Sequence, residues 1–283
     1  MKSFEEIGLK VKGLITDLIG EVDVIVDATP GGVGARNKKM YVESGVKAIF
    51  EGGEKAEVAD VSFVAQCNYE EALGKRFIRV VSCNTTGLSR VLKALDDEFR
   101  VKRCLAVIIR RAADPDDIKR GPIDSIVPNP VRLPSHHADD VKTVLKSIDI
   151  VTAAYKVPAT HMHVHFLEVV LEREAGREEV IRVLEETRRV IMVEEALGVK
   201  STSQIMDMAR DMGRPRNDIY ENCIWRESIS VSGRKVYFSQ AIHQEAIVIP
   251  ENIDAIRACM AVEKEKSMRE TDLKLGILRR GIK

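Results

Sequence analysis

The sequence predicts an α/β unit followed by an α+β unit. In the first 82 residues short apolar runs alternate with short helical patterns, as in a parallel sheet built from βα units. From residue 83 onward the apolar runs lengthen, and two of them flank a tight Ser232-Gly233 turn, which points to antiparallel strands covered by helices. The composition, 45% hydrophobic and 31% charged, is that of a packed globular chain rather than a disordered or fibrous one.

The elements follow in chain order. The run 22–29 (VDVIVDAT) is apolar almost throughout and reads as a strand buried on both faces. Pro30-Gly31-Gly32 breaks it, and 35–44 reads as a helix closed by Gly45. Residues 47–50 and 61–65 are the next strands, 69–73 is a short helix, and 77–82 (FIRVVS) is the strand that leads to Cys83. A strong helix at 85–99, with threonines at its start, precedes a long buried strand at 103–111 (RCLAVIIRR). The connection 115–134 is long for a compact unit, and such loops usually carry function. A helix at 138–148, strands at 150–156 and 161–171, helices at 178–193 and 203–212, and strands at 224–231 and 235–246 complete the second unit. The final helix, 252–262, has Pro250 near its first turn and Glu251 beside it, where the helix dipole favours an acid. The basic run 264–269 reads as a solvated helix face.

Several function classes drop out. Lys plus Arg equals Asp plus Glu at 44 each, so no nucleic-acid partner is expected, although a local basic pocket for phosphate is compatible with that balance. No apolar run approaches the ~20 residues a membrane helix needs, and no signal-peptide core is seen near Met1. The five cysteines (67, 83, 104, 223 and 259) are an odd number without a CxxC pair, which fits reduced thiols in a cytoplasm.

Chemistry concentrates at a few places. Cys83 falls where a buried strand meets a helix start, and unpaired helix N–H groups together with the macrodipole favour thiolate there. That marks Cys83 as a nucleophile, whereas the other four cysteines sit in apolar or helical patterns typical of inert core thiols. His161, His163 and His165 alternate with strand period and would share one face. Three readings stay open for them: a base for the thiol, the wet side of a half-buried strand, or a metal site lacking any nearby carboxylate or thiol of ligand spacing. Arg110-Arg111 offers forks for phosphate or carboxylate, or a plain surface charge pair. Ser135-His136-His137 opens a helix, an anion-friendly position or ordinary capping. Gly31-Gly32-Val33-Gly34 follows a strand but does not match GxGxxG, so it is either a nucleotide cradle or a common glycine turn.

SCNTTGL at 82–88, RRAAD at 110–114, PSHHADDV at 134–141, MHVHF at 162–166, FEGGEKAEVAD at 50–60 and AIHQEAIVIPENIDAIRA at 241–258 resemble archaeal-type phosphorylating glyceraldehyde-3-phosphate dehydrogenases, in order and along essentially the whole chain. The resemblance implies a Rossmann-like nucleotide domain over 1–82, an antiparallel-sheet catalytic domain over 83–247, and a C-terminal helix over 248–283 that returns to the first domain. It implies Cys83 as nucleophile and His163 as its base, Ser82, Asn84, His136 and His137 around the triose phosphate and inorganic phosphate, and Gly53, Arg111 and Gln244 toward NAD or NADP. A homotetramer without metal is implied as well. Family members begin with a strand and a glycine-rich turn that seats the dinucleotide pyrophosphate. Met1–Glu6 here resembles an internal stretch, so roughly 60 residues, about two βαβ units, are expected to be missing, and the nucleotide domain is expected to be incomplete. Two rival readings follow from that expectation: a silent homologue acting as an interaction subunit, and a thiol acyl-transfer activity without hydride transfer.

Overall fold

Two sheets organise the chain in a computed structural model that describes residues 2–113, 119 and 121–277. After the short helices α1 (Lys2–Glu6) and α2 (Ile15–Leu18), the first sheet contains β1 (Val24–Asp27), β2 (Lys47–Phe50), β3 (Val61–Phe63) and β4 (Phe77–Val80). Its order is β1-β2-β4-β3 and every pair is parallel, with α3 (Val33–Ser44) and α4 (Ala65–Ala72) as crossovers. Gly45 ends α3 with φ +79°, a conformation that costs a glycine nothing. The central strands are apolar on both faces because both faces are covered: Ala48, Ile49, Phe50, Ile78 and Val80 are fully buried. β1 departs from the expectation of a doubly buried strand. It lies at the sheet edge, and Val26 is 42% exposed.

The second sheet has the order β6-β7-β5-β8-β12-β10-β9, with β11 paired to β12. Its strands are β5 (Val101–Arg111), β6 (Val127–Pro128), β7 (Ile150–Val157), β8 (His163–Leu171), β9 (Val190–Val193), β10 (Asn222–Trp225), β11 (Ser230–Ser232) and β12 (Lys235–Ile242). The centre is antiparallel, as expected, but β5–β7 and β9–β10 are parallel, so the sheet is mixed. Helices make those crossovers: α6 (His137–Lys142) before β7, and α8 (Thr202–Asp211) between β9 and β10. One face is covered by α5 (Cys83–Phe99), α6 and α7 (Arg177–Glu186), whose Leu88, Val91, Leu92, Leu95, Val141, Val180 and Leu184 pack on Cys104, Ala106, Leu167, Val169 and Phe238. Each such buried aliphatic side chain contributes roughly 1.5–3 kcal/mol.

The other face is covered by α8 toward β9, β10 and β12, where Ile205 and Ala209 pack with Val193, Cys223 and Ala241, and is open along β5 and at Phe166 of β8. β5 therefore alternates rather than being buried throughout, and Leu105 and Ile109 point outward with Phe166 of β8. Two further expectations are corrected, and a third, the solvated basic helix face, holds for Lys266 and Arg269 but not for the residues between them. The helix expected over 178–193 stops at Glu186; Arg189 takes φ +60°, and the β-branched run that follows becomes β9. The helix expected over 138–148 is regular only to Lys142. The basic run 264–269 opens α10 (Lys264–Leu275), which buries Ser267, Met268, Thr271 and Asp272. Asp114 and residues 115–118 and 120, part of the long connection singled out in the sequence, lie outside the described residues.

Before α10 runs α9 (Ile249–Cys259), and both return to the first sheet: Ala255, Ala258, Cys259 and Met268 pack with Ile49, Phe63, Tyr69 and Ile78. A fully buried ion network pins these helices to α5. Arg90 and Arg189 both bind Glu251 Oε1, at 2.6 and 3.1 Å, and Arg189 also reaches Asp254 and Asp272.

Candidate active site

The carboxyl ends of β1, β2 and β4 converge on the start of α5. A Cβ on Gly52 would stand 2.6 Å from the Ser82 Cα, and one on Gly31 would stand 2.7 Å from the Gly53 carbonyl oxygen. Only glycine lets the loop after β2 close on Ser82 and the loop after β1 close on Gly53 in this way, and the space left beside Gly31, Gly32, Gly53, Lys38 and Lys55 is a cavity of about 660 Å³. Such a crevice is where open parallel sheets take their ligands.

Ser82 caps α5, its Oγ accepting from Thr85 N–H at 3.4 Å. Thr85 Oγ1 donates to Asp140 Oδ2 at 2.5 Å, and Asp140 also binds the buried Arg79 of β4. The start of α5 is thereby braced to α6 and to β4 of the first sheet. Cys83, half-buried, is the first residue of that helix. Burial pushes its thiol pKa up, while the Arg110 guanidinium, the helix-start N–H groups of Asn84 and Cys83, and Arg111 pull it back. The net shift is upward, so the expectation of a resting thiolate is not met: the thiol is poised by its surroundings but protonated until something further stabilises the anion.

The inward face of the second sheet changes character along its length. Below the middle of α5 it is apolar; toward Cys83 it carries Arg110, His163, His165, Gln240 and Asn222, brought side by side by register, with Ile108 opposite His165 and Ile242 opposite His163. His163 and His165 share this buried face, which removes the wet-strand reading for both. His161 does not join them: it is exposed and precedes β8, because Met162 adopts φ +64° and interrupts the alternation. Among the described residues no three His, Cys, Asp or Glu side chains are grouped as a metal site.

Burial lowers the pKa of His163, His137 and His136, and Arg110 lowers all three further. All are neutral near pH 7. His163 Nδ1 accepts the Arg111 N–H at 3.0 Å, so the neutral ring carries its proton on Nε2. The sequence expectation made His163 a base; in this geometry it is first a hydrogen-bond donor. His137, 1% exposed, spends both ring nitrogens inside the protein, on Ser135 Oγ and Asn84 Nδ2. Asn84, equally buried, spends its side chain on His137 and His165. Neither side chain is free for a ligand, whereas His136, stacked on His137 at 4.0 Å, is exposed.

Gln244 Oε1 accepts the Met162 N–H at 2.7 Å, and its buried Nε2 has no hydrogen-bond partner among the described residues, an amide donor waiting for an acceptor. Arg111 lies on the opposite strand parity from Arg110, and its guanidinium donates to the Ala113 carbonyl. The sequence reading weighed Arg110 and His165 without giving either a place in the site, and it passed over Gln240 and Asn222; strand parity, counted from His163 and across the register, is the signal that brings all four together.

Residues 82–228 match the family described as glyceraldehyde 3-phosphate dehydrogenase, C-terminal domain. The chain is 52% identical over 278 residues to the glyceraldehyde-3-phosphate dehydrogenase of Metallosphaera sedula, covering 98% of this chain and 82% of that protein. It is 55% identical over 277 residues to that of Pyrococcus furiosus, with the same coverage of each. Among solved structures it resembles aspartate semialdehyde dehydrogenase II from Vibrio cholerae, with a TM-score of 0.65, 13% identity, and coverage of 90% of this chain and 81% of that one. At that identity the likeness speaks for the fold alone.

Proposed function

Because the chain belongs to the archaeal-type glyceraldehyde-3-phosphate dehydrogenases, we propose that it converts D-glyceraldehyde 3-phosphate, inorganic phosphate and NAD+ or NADP+ to 1,3-bisphosphoglycerate through Cys83. The observation that carries this reading is Cys83 as the first residue of α5, next to Ser82, on which the Gly52 backbone closes, and within the influence of Arg110.

The side chains fit a nicotinamide nucleotide. Gln244 Nε2 is an orphan donor suited to a carboxamide oxygen, Gly53 lines the cavity of about 660 Å³, and Arg111 ends β5. When bound, the nicotinamide supplies the acceptor for a hydride. The rest is work for this chain. The thiol proton leaves to water, and the Arg110 guanidinium and the helix-start N–H groups favour the thiolate. The sulfur adds to the aldehyde carbon, and His163 Nε2–H donates to the resulting alkoxide, as an oxyanion donor does. Loss of hydride from that carbon leaves a thioester on Cys83. An oxygen of inorganic phosphate then attacks the thioester carbonyl, and the Cys83 thiolate leaves. Arg110 is the fixed cation closest in character to a phosphate anchor, with the Ser82 hydroxyl and exposed His136 at the rim; Asn84 contributes its main-chain N–H rather than its amide.

We further propose the division 1–82 with 248–283 for the nucleotide and 83–247 for the triose phosphate, and assembly as a cytoplasmic homotetramer. The open face of the second sheet supports assembly: Leu105, Ile109 and Phe166 are exposed, with Phe166 stacked on Tyr237, an apolar surface of the kind a second copy covers. No helix among the described residues is long and apolar enough to cross a membrane. The test of the reaction is phosphate-dependent reduction of NAD+ and NADP+ by glyceraldehyde 3-phosphate. Activity should vanish in Cys83→Ser and fall by ~10²–10³ in His163→Asn, the usual worth of an oxyanion donor. Full activity in Cys83→Ser would remove the reading.

A further inference from the structure

A buried chain of hydrogen bonds runs beneath Cys83, and its polarity is fixed at both ends by main-chain carbonyls. At one end the Gly87 carbonyl accepts from Asn222 Nδ2 at 2.7 Å and from Gln240 Nε2 at 3.2 Å, so both amides have one possible orientation. Asn222 Nδ2 also donates to Gln240 Oε1 at 2.8 Å. Gln240 Nε2 therefore meets His165 Nδ1 at 3.1 Å as a donor, which leaves the His165 proton on Nε2. That N–H donates to Asn84 Oδ1 at 2.9 Å, so Asn84 Nδ2 must donate to His137 Nε2 at 3.2 Å. His137 in turn carries its proton on Nδ1, facing Ser135 Oγ at 3.1 Å. The Ser135 hydroxyl passes to Thr152 Oγ1 at 2.7 Å, and Thr152 donates to the Ser135 carbonyl at 3.0 Å. Each link from Asn222 to Thr152 thus pairs one donor with one acceptor, and reversing one link would set two donors face to face.

We propose that His165 and His137, as opposite neutral tautomers, are positioning residues that clamp the Asn84 side chain and thereby aim the first N–H groups of α5 at the Cys83 sulfur. Asn84 is the second residue of α5, next to the thiol, and its amide is held from two directions by rings on different elements, β8 and the start of α6. A clamp of this kind must stay neutral, since a proton gained by either ring would turn an acceptor into a donor and break the chain. Burial drives His165 down to about 3, and burial with the neighbouring His136 and Arg110 drives His137 down to about 2. Gly87 has its own place in the arrangement: a Cβ there would stand 2.8 Å from Ile242 Cγ2 and 3.5 Å from His165 Cε1, so a larger residue would push the helix off the ring.

The proposal rests on Cys83 being the reactive thiol, and its test reads that thiol directly, without dehydrogenase turnover. The rate of Cys83 alkylation by iodoacetamide is followed against pH in the native protein, His165→Leu and His165→Gln. His165→Leu removes the donor to Asn84 and should raise the apparent thiol pKa by about one unit, slowing alkylation near pH 7 about tenfold; His165→Gln, which can still donate, should recover most of that loss. A merely structural role would lower the melting temperature of both variants and leave the thiol pKa unchanged, which would overturn the proposal. A second measurement needs no variant. Imidazole ¹⁵N shifts of the native protein at pH 7 should place the His165 proton on Nε2 and the His137 proton on Nδ1; finding the same tautomer at both, or a charged ring at either, would also overturn it.

Discussion

Replacing Glu251 by Gln changes no volume and removes one charge from the centre of the buried ion network. Its Oε1 holds Arg90 Nη2 at 2.6 Å and Arg189 Nη1 at 3.1 Å, and its Oε2 accepts the Ala65 N–H at 2.6 Å, with no exposure at any of the three ionic side chains. Burial alone would raise this carboxyl, but Arg90 and Arg189 keep it below the ordinary carboxylate range, so it is charged when folded. In the variant Arg189 still has Asp254 and Asp272, whereas Arg90 is left with only neutral partners, the Tyr220 and Ile247 carbonyls and the Asn222 amide. Breaking a buried pair from one side costs about 3–5 kcal/mol, because the surviving charge stays desolvated. At ~2–4 °C per kcal/mol for a chain of this size, the melting temperature should fall by roughly 6–20 °C. The control is Glu265→Gln, which removes one of the two partners of Arg188, in a pair 3.4 Å long whose carboxylate is 70% exposed, and should cost at most about 1 kcal/mol. Thermal unfolding followed by circular dichroism makes the comparison. Equal shifts for the two variants would refute the claim that the interior network, rather than surface charge, pins α9 to α5.

Gly87→Ala should destabilise the protein by about 1–3 kcal/mol, through the close approach of its Cβ to Ile242, measurable as a lower urea midpoint at unchanged slope. Stability should fall on acidification below pH ~6.5. His137, His163 and His165 all have folded pKa values below that of the unfolded chain, so the unfolded state binds the extra protons, at up to ~1.4 kcal/mol per pH unit for each ring. Urea midpoints that stay level from pH 7 to 5 would contradict that sign. Leu105→Glu, placed in the open apolar face of the second sheet, should shift sedimentation toward smaller species while leaving the fold intact by circular dichroism.

How much of this was legible in the sequence depended on the range of the physics. Lys47–Phe50 reads as a strand and is one to the residue, because an apolar run between turn signals is a local statement. Cys83 at a strand-to-helix junction is equally local, as the Ser82 cap bears out. Burial needed neighbours. The apolar run of β1 could not announce an edge, nor could that of β5 announce one open face. The histidine alternation was read correctly for His163 and His165 and failed at His161, where one residue with positive φ reset the parity. His137 and Asn84 were grouped with the phosphate environment by family resemblance, and only the partners of each polar atom reveal that both are spent internally. Asp272 lay hidden in a helix whose charged residues suggested solvent, because its partner Arg189 is 83 positions away.

The central claim is that the Cys83 thiol carries the acyl group through oxidation. Rapid mixing of the native protein with glyceraldehyde 3-phosphate and the preferred nicotinamide nucleotide, in the absence of phosphate and arsenate, isolates that step. The account predicts a burst of reduced nucleotide that approaches one equivalent per chain, a triose acyl group on Cys83 in the peptide mass spectrum, and steady turnover only after phosphate is added. A burst with the acyl group on another residue, or sustained turnover in Cys83→Ser, would contradict it.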